Sequence, residues 1–212
     1  MFQNRTEAAA KLAEQLQKYR GRNPLVLAIP RGAVPMAKII ARALDGEADV
    51  VLVRKIPAPG APEFAIGSVD ETGWTYLTPN AAYLGASDVY VGEERERQLQ
   101  TIRKRRALYT PLRPPIDPTG RIAIVVDDGL ATGSTMIAAL HALRKRNPAT
   151  LVCAVPVAPA ETLTVVEEYA DETICLRTPV EFMSVGQFYR EFEQVTDSEV
   201  AELLATMSGQ TS

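Results

Sequence analysis

The chain is poor in the residues that mark several large classes of protein. It has two cysteines, one histidine and one tryptophan in 212 residues. Cys153 and Cys175 fall in separate apolar runs without metal-ligand spacing, and His141 is distant from both in sequence. This argues against a disulfide framework and a Cys/His zinc site; the thiols read as buried and free in a reducing compartment. No apolar run approaches the roughly 20 residues a membrane-spanning helix needs. The first residues, MFQNRTEAAAKLAEQL, carry charges throughout and hold no apolar leader segment, so the expected location is the cytoplasm. Strong charge of one sign is also missing. A net charge of −3 gives no basic field to draw a nucleic acid or an anionic membrane, and neither is expected as a partner. The run Arg103-Lys104-Arg105-Arg106 is basic, but Glu93, Glu94 and Glu96 precede it on the same predicted helix. It reads as a solvated helix face.

What is present is an ordinary globular composition, 46% hydrophobic and 23% charged, enough for one domain with a sizeable core. Short apolar runs alternate with helical patterns. Helices are predicted over 5–20, 34–44, 93–109, 133–146 and 160–170. Strands are predicted over 24–30, 48–55, 121–126, the stretch TLVCAVPVA and the stretch ETICLRT. The segment 56–67 is rich in proline and glycine and reads as a loop. Asp70-Glu71-Thr72-Gly73 sits between two short apolar runs as a hairpin signal. The alternation predicts an α/β fold: a Rossmann-like, mainly parallel five-stranded sheet flanked by helices. No linker or repeat divides the chain, so 1–212 reads as one domain. Segments 56–92 and 179–212 are irregular enough to form a small cap, or hood, over the sheet.

One stretch carries chemistry: VVDDGLATGST, 125–135. An apolar strand ends in Asp127 and Asp128, and a small-residue turn leads into a helix. In parallel sheets ligands gather at the carboxyl ends of strands. Gly133 permits close backbone approach, the helix start offers unpaired N–H groups, and Thr132, Ser134 and Thr135 add hydroxyl donors. Such a turn suits a phosphate monoester. The acids would repel phosphate but accept hydrogen bonds from sugar hydroxyls. Together they describe a ribose 5-phosphate. A Walker loop is absent, since no lysine stands in 127–140, and so is a Gly-x-Gly-x-x-Gly fingerprint. The plain alternative is a capped helix beside two solvated acids.

The stretch resembles the donor-binding motif of the type I phosphoribosyltransferases. The resemblance extends through IPRGAVP, VRKIPAPGAPEFAIGSV and SVGQFYREF, over nearly the whole chain, to an uncharacterised bacterial branch of that family. It implies that Asp127 and Asp128 bind the ribose hydroxyls, and that Ala131, Thr132, Gly133, Ser134 and Thr135 hold the 5-phosphate. It implies a pyrophosphate loop at Arg31 and Gly32, with a strained peptide bond beside them. Arg54 and Lys55 would lead into a mobile catalytic loop. The implied reaction displaces pyrophosphate at ribose C1 of phosphoribosyl pyrophosphate, with Mg²⁺ carried mainly by the donor and no protein metal ligands. The implied acceptor is a base or other nitrogen nucleophile.

Phe182, Met183, Val185, Phe188 and Tyr189 are candidates for a wall that stacks the acceptor; packing into the core is their plain alternative. The same segment is similar to one in hypoxanthine-guanine enzymes. It departs from them at Arg190, where they carry an acid, and CAVPVAPAET lacks their lysine, so a purine acceptor is not implied. Two further readings stay open beside the transferase: a non-catalytic regulator that binds the donor, and a diphosphokinase, for which no segment reads as an ATP site. Assembly as a homodimer is also left open.

Overall fold

The computed structural model describes residues 1–207. Its elements in chain order are α1 (Arg5–Gln15), β1 (Leu25–Ala28), α2 (Val34–Ala43), β2 (Glu47–Val50), β3 (Val53–Ala58), β4 (Ala61–Asp70), β5 (Thr75–Leu77), α3 (Asp88–Tyr109), β6 (Ile122–Val126), α4 (Ser134–Arg144), β7 (Thr150–Val157), α5 (Ala160–Val166), β8 (Glu172–Arg177) and α6 (Asp197–Met207). Five strands form a wholly parallel sheet in the order β2-β1-β6-β7-β8. The expected α/β architecture with five sheet strands is therefore present.

The central strands of the sheet are buried on both sides, as parallel strands covered by helices are. β1 and β6 are buried at every position. Successive side chains of β1 point to opposite faces. Val26 and Ala28 join one core with Leu12 of α1 and Ile40 of α2, while Leu25 and Leu27 join another with Met136, Ile137 and Leu140 of α4. Helices thus cover both faces. Local caps set their starts: Asn4 accepts the Glu7 N–H at α1, and Ser87 accepts the Tyr90 N–H at α3.

Three expectations need correction. The predicted strand 48–55 is two strands. β2 ends the parallel sheet at Val50, and after Val51 and Leu52 the chain enters β3 of a separate antiparallel sheet, β3-β4-β5. A continuous apolar run hides such a break because burial does not record which sheet buries it. The Pro-rich segment 56–67 is not a loop; it is the far part of the β3–β4 hairpin. Its prolines sit where the pairing is already irregular: the register shifts on both sides of Pro57, and Gly60 turns the tip with φ +71°. Finally, the C-terminal segment is not wholly irregular. It carries α6, which packs against α2, β2 and α3.

The antiparallel sheet stands beside the carboxyl end of the parallel sheet and leans on α4, and α3 packs on β3 and β4. The Ser68 hydroxyl donates to Ser134 Oγ at 3.0 Å, and Trp74 stacks on His141 at 3.7 Å. Both cysteines are free, and burial raises the pKa of Cys153. Among the described residues, no helix is long and apolar enough to cross a membrane.

Candidate functional site

The chain order fixes where a cleft must lie. From β1 the chain moves outward to β2 and later returns to β6 on the other side of β1. The loops after β1 and β6 therefore diverge to opposite faces, and an open α/β sheet binds its ligands at such a switch point. A cleft of about 730 Å³ opens there.

The loop after β6 forms its floor. Asp127 Oδ1 accepts the Asp128 N–H at 2.9 Å. Asp128 Oδ2 accepts Nε and Nη2 of Arg5 at 2.9 and 2.8 Å. In each carboxylate one oxygen is held by the protein, and among the described residues no donor is seen at the other. Burial raises the pKa of both acids. The Asp128 charge raises Asp127 further, and Arg5 acts against burial at Asp128.

The turn that follows leaves the start of α4 open. Gly133 is the cap residue, with φ +72°, and no side chain caps the helix. The first N–H groups of α4 are thus available to an anion, with the helix dipole behind them. Only glycine suits this position: beyond the φ, an added Cβ would lie 2.9 Å from Val166 Cγ2 and 3.0 Å from Thr162 Cγ2. Ala131, Thr132, Gly133 and Thr135 line the cleft. Ser134 differs from its sequence assignment. It is 1% exposed, its hydroxyl accepts from Thr132 and Ser68, and its side chain does not line the cleft as Thr132 and Thr135 do.

Arg31 and Gly32 follow β1, and the Pro30–Arg31 peptide bond is cis. Gly32 lies against the acid doublet, where a Cβ would run into the Asp128 carboxylate. The hairpin supplies Arg54 and Lys55 from the start of β3, and α3 supplies Arg105. The Arg54 guanidinium donates to Gln98 at 3.0 Å; burial and the nearby Arg105 and Arg31 lower its pKa. Asp197, the first residue of α6, lies 3.5 Å from Arg31 and 3.7 Å from Arg105 and accepts the Tyr109 hydroxyl at 3.2 Å. Burial, then Asp197, pushes Tyr109 up to about 12. Three arginines and a lysine thus share one wall of the cleft, with Asp197 as a loosely placed counter-ion.

The five acceptor candidates do not act together. Val185 lines the cleft beside Gly129. Tyr189 is buried beneath the doublet and donates its hydroxyl to the Asp128 carbonyl at 2.6 Å. Phe182 and Phe188 pack on each other at 5.3 Å and do not line the cleft, and Met183 is 92% exposed. Several lining residues were missed, Arg5, Arg105 and Phe192 among them. Arg5 and Arg105 sit on helices far from any motif, and nothing in their local sequence marks them. Arg105 belongs to the run read as a solvated face, and Arg106 also departs from that reading by pairing with Glu71 at 2.6 Å, while Arg103 and Lys104 are exposed. Phe192 closes the quoted motif SVGQFYREF, and that position was the available signal.

A switch-point cleft with an acid doublet and an uncapped helix start agrees with the match to known families. Residues 2–188 match the phosphoribosyl transferase domain model, and the chain belongs to that family. It is 38% identical over 205 residues, 96% of its length, to a protein of Mycobacterium tuberculosis, found in strains H37Rv and CDC 1551, that is provisionally named a phosphoribosyl transferase. The chain spans 46% of that relative's length, so about half of the relative lies outside the match. Among solved structures it is similar to TT1426 from Thermus thermophilus, with 43% identity, a TM-score of 0.82 and coverage of 98% of this chain and 99% of that one.

Proposed function

We propose that the cleft binds phosphoribosyl pyrophosphate and that the chain, acting as one domain, transfers the phosphoribosyl group to a nitrogen acceptor. The observation that carries this reading is the division of the cleft floor. Two carboxylates, each with one oxygen not held by the protein, stand next to an uncapped helix start. Two vicinal hydroxyls suit the oxygens of Asp127 and Asp128, and a 5-phosphate suits the N–H groups of α4 with Thr132 and Thr135. The pyrophosphate then falls on the wall of Arg31, Arg54, Lys55 and Arg105, whose guanidiniums match its geometry.

The chemistry follows from charge placement. The acceptor nitrogen's lone pair forms a bond to C1 as the C1–O bond breaks, and the bonding pair leaves on the pyrophosphate. Positive charge builds on the sugar, close to the doublet, and negative charge builds on the leaving group, close to the arginines. Both are met by groups already in place. The protein needs no nucleophile of its own; its part is positioning. The hairpin tip, closing over the donor, would keep water from the sugar cation. Among the described residues no three metal-ligating side chains stand together. A Mg²⁺ ion would enter on the donor's pyrophosphate, which it would neutralise, with water completing its shell, as suits a hard hydrated cation.

The test is direct. The protein is incubated with labelled phosphoribosyl pyrophosphate, Mg²⁺ and a panel of nitrogen bases and amines, and pyrophosphate release is followed. Acceptor-dependent release supports a transferase. Saturable donor binding without release under any acceptor would make the protein a donor-binding regulator instead.

A further inference from the structure

Arg5 is the most completely engaged side chain in the cleft. Nε and Nη2 donate to Asp128, Nη1 donates to the Glu193 carbonyl at 2.6 Å, and the guanidinium lies 3.9 Å from the centroid of the Phe192 ring. Only 14% of the side chain is exposed. The backbone around it is fastened to the same C-terminal segment. The Phe2 N–H donates to the Phe188 carbonyl, and the Arg190 and Glu191 N–H groups donate to the Phe2 and Gln3 carbonyls. Arg5 therefore has little freedom to leave when a ligand arrives.

We infer that Arg5 is a positioning residue of the donor site: it holds Asp128 as a carboxylate with Oδ1 free for a sugar hydroxyl, and it ties that carboxylate to the strap 188–193. The inference rests on the donor reading above. Its physical basis is the crowding of two acids. Asp127 and Asp128 are adjacent in a recessed site, and such pairs share a proton unless a cation lies close. Asp128 faces Asp127 on its own loop, Arg5 from α1 and Lys55 from β3, and the Tyr189 hydroxyl reaches only its carbonyl. Lys55 is exposed on the hairpin, whereas Arg5 is in direct contact. Arg5 is thus the cation in contact with the doublet that opposes burial and favours its ionised form. Removing it would raise the pH at which the pair gives up its last proton. That proton would leave as pH rises, and donor affinity would return with it.

Donor affinity is measured by calorimetry with phosphoribosyl pyrophosphate and Mg²⁺ from pH 6 to 9, on the wild type, Arg5→Met and Arg5→Lys. Folding of each variant is checked by thermal melting. The expected result for Arg5→Met is about a tenfold loss at pH 7, the scale of one charge-assisted contact, with the midpoint of the affinity–pH curve moved upward. Arg5→Lys is expected to bring the midpoint back toward the wild-type value while leaving part of the affinity loss, because an ammonium cannot reproduce the fork. Donor-induced protection of 188–193 in hydrogen exchange is expected in the wild type and lost in Arg5→Met. A purely structural role would weaken binding equally at every pH; an unmoved midpoint in both variants overturns the inference while leaving the donor reading intact. A wild type that binds no donor at any pH sinks both.

Discussion

The two ends of the cleft are built in opposite ways. At the floor the two acids and the turn are tied to the protein: Asp127 to its neighbour's N–H, Asp128 to Arg5, and the α4 turn to α5 through Thr162 Oγ1 and the Ala131 carbonyl at 2.7 Å. At the wall Arg31 and Arg105 have Asp197 only at 3.5 and 3.7 Å, and Lys55 is exposed. The floor is preorganised and specific for shape. The wall is a store of positive charge with loose geometry, suited to a group that must bind and then leave. On the proposed function, such a division would let one site hold the sugar phosphate through the reaction and release the pyrophosphate after it.

Breaking the floor should have the largest effect. The double substitution Asp127→Asn and Asp128→Asn is expected to lower donor affinity by roughly two to four orders of magnitude, since each hydrogen bond to a charged group contributes roughly 1.5–3 kcal/mol. Calorimetry at low and high salt should give a similar loss at both, because these bonds are short and recessed. The wall should behave differently. Arg105→Ala is expected to weaken pyrophosphate and donor binding by about tenfold at low salt and less at high salt. Ribose 5-phosphate, which lacks the pyrophosphate, should bind the variant as it binds the wild type. Asp197→Asn sharpens the contrast from the other side. The amide still accepts the Tyr109 hydroxyl but removes the counter-ion, so pyrophosphate affinity should rise by a factor of roughly two to five, the scale of an exposed ion pair.

A stability measurement separates the two ends further. Burial, then Asp128, raises the pKa of Asp127 above its unfolded value. The folded state therefore binds more protons than the unfolded chain in that window. The contribution of Asp127 to stability is fully present below the unfolded pKa and is lost as pH rises through the folded one. Asp127→Asn removes a carboxylate that is costly to bury, so at pH 8 the variant should melt above the wild type while binding the donor worse. Melting curves from pH 4 to 8 should show the difference growing with pH. A variant that melts lower at pH 8 would mean that the doublet is not held at a cost.

Much of this was readable from the sequence, and the limits have physical causes. The five sheet strands could be read because buried parallel strands are continuous apolar runs, and VVDDGLATGST because it is contiguous. The break between β2 and β3 was hidden because Val51, Leu52 and Val53 are as buried as the strands they join. The β3–β4 hairpin was hidden by prolines, which argue against a strand in general but are tolerated at irregular pairing. Ser134 was misassigned in detail because a helix start sends neighbouring side chains in different directions, and its hydroxyl turns to Ser68. Arg5 and Arg105 reach the cleft only through the packing of α1 and α3. No spacing encodes that, and the charge pattern around Arg105 pointed to solvent.

The central claim is that the acid doublet and the start of α4 grip the two ends of one pentose phosphate. Its most direct measurement is a crystal structure of the protein with ribose 5-phosphate. The expected density places two hydroxyls within hydrogen-bond distance of Asp127 and Asp128, with Arg5 still on Asp128, and the phosphate at the N–H groups of Ser134 and Thr135. Sugar phosphate bound elsewhere, or a phosphate lodged against Arg31 and Arg54 with the α4 turn empty, would contradict it.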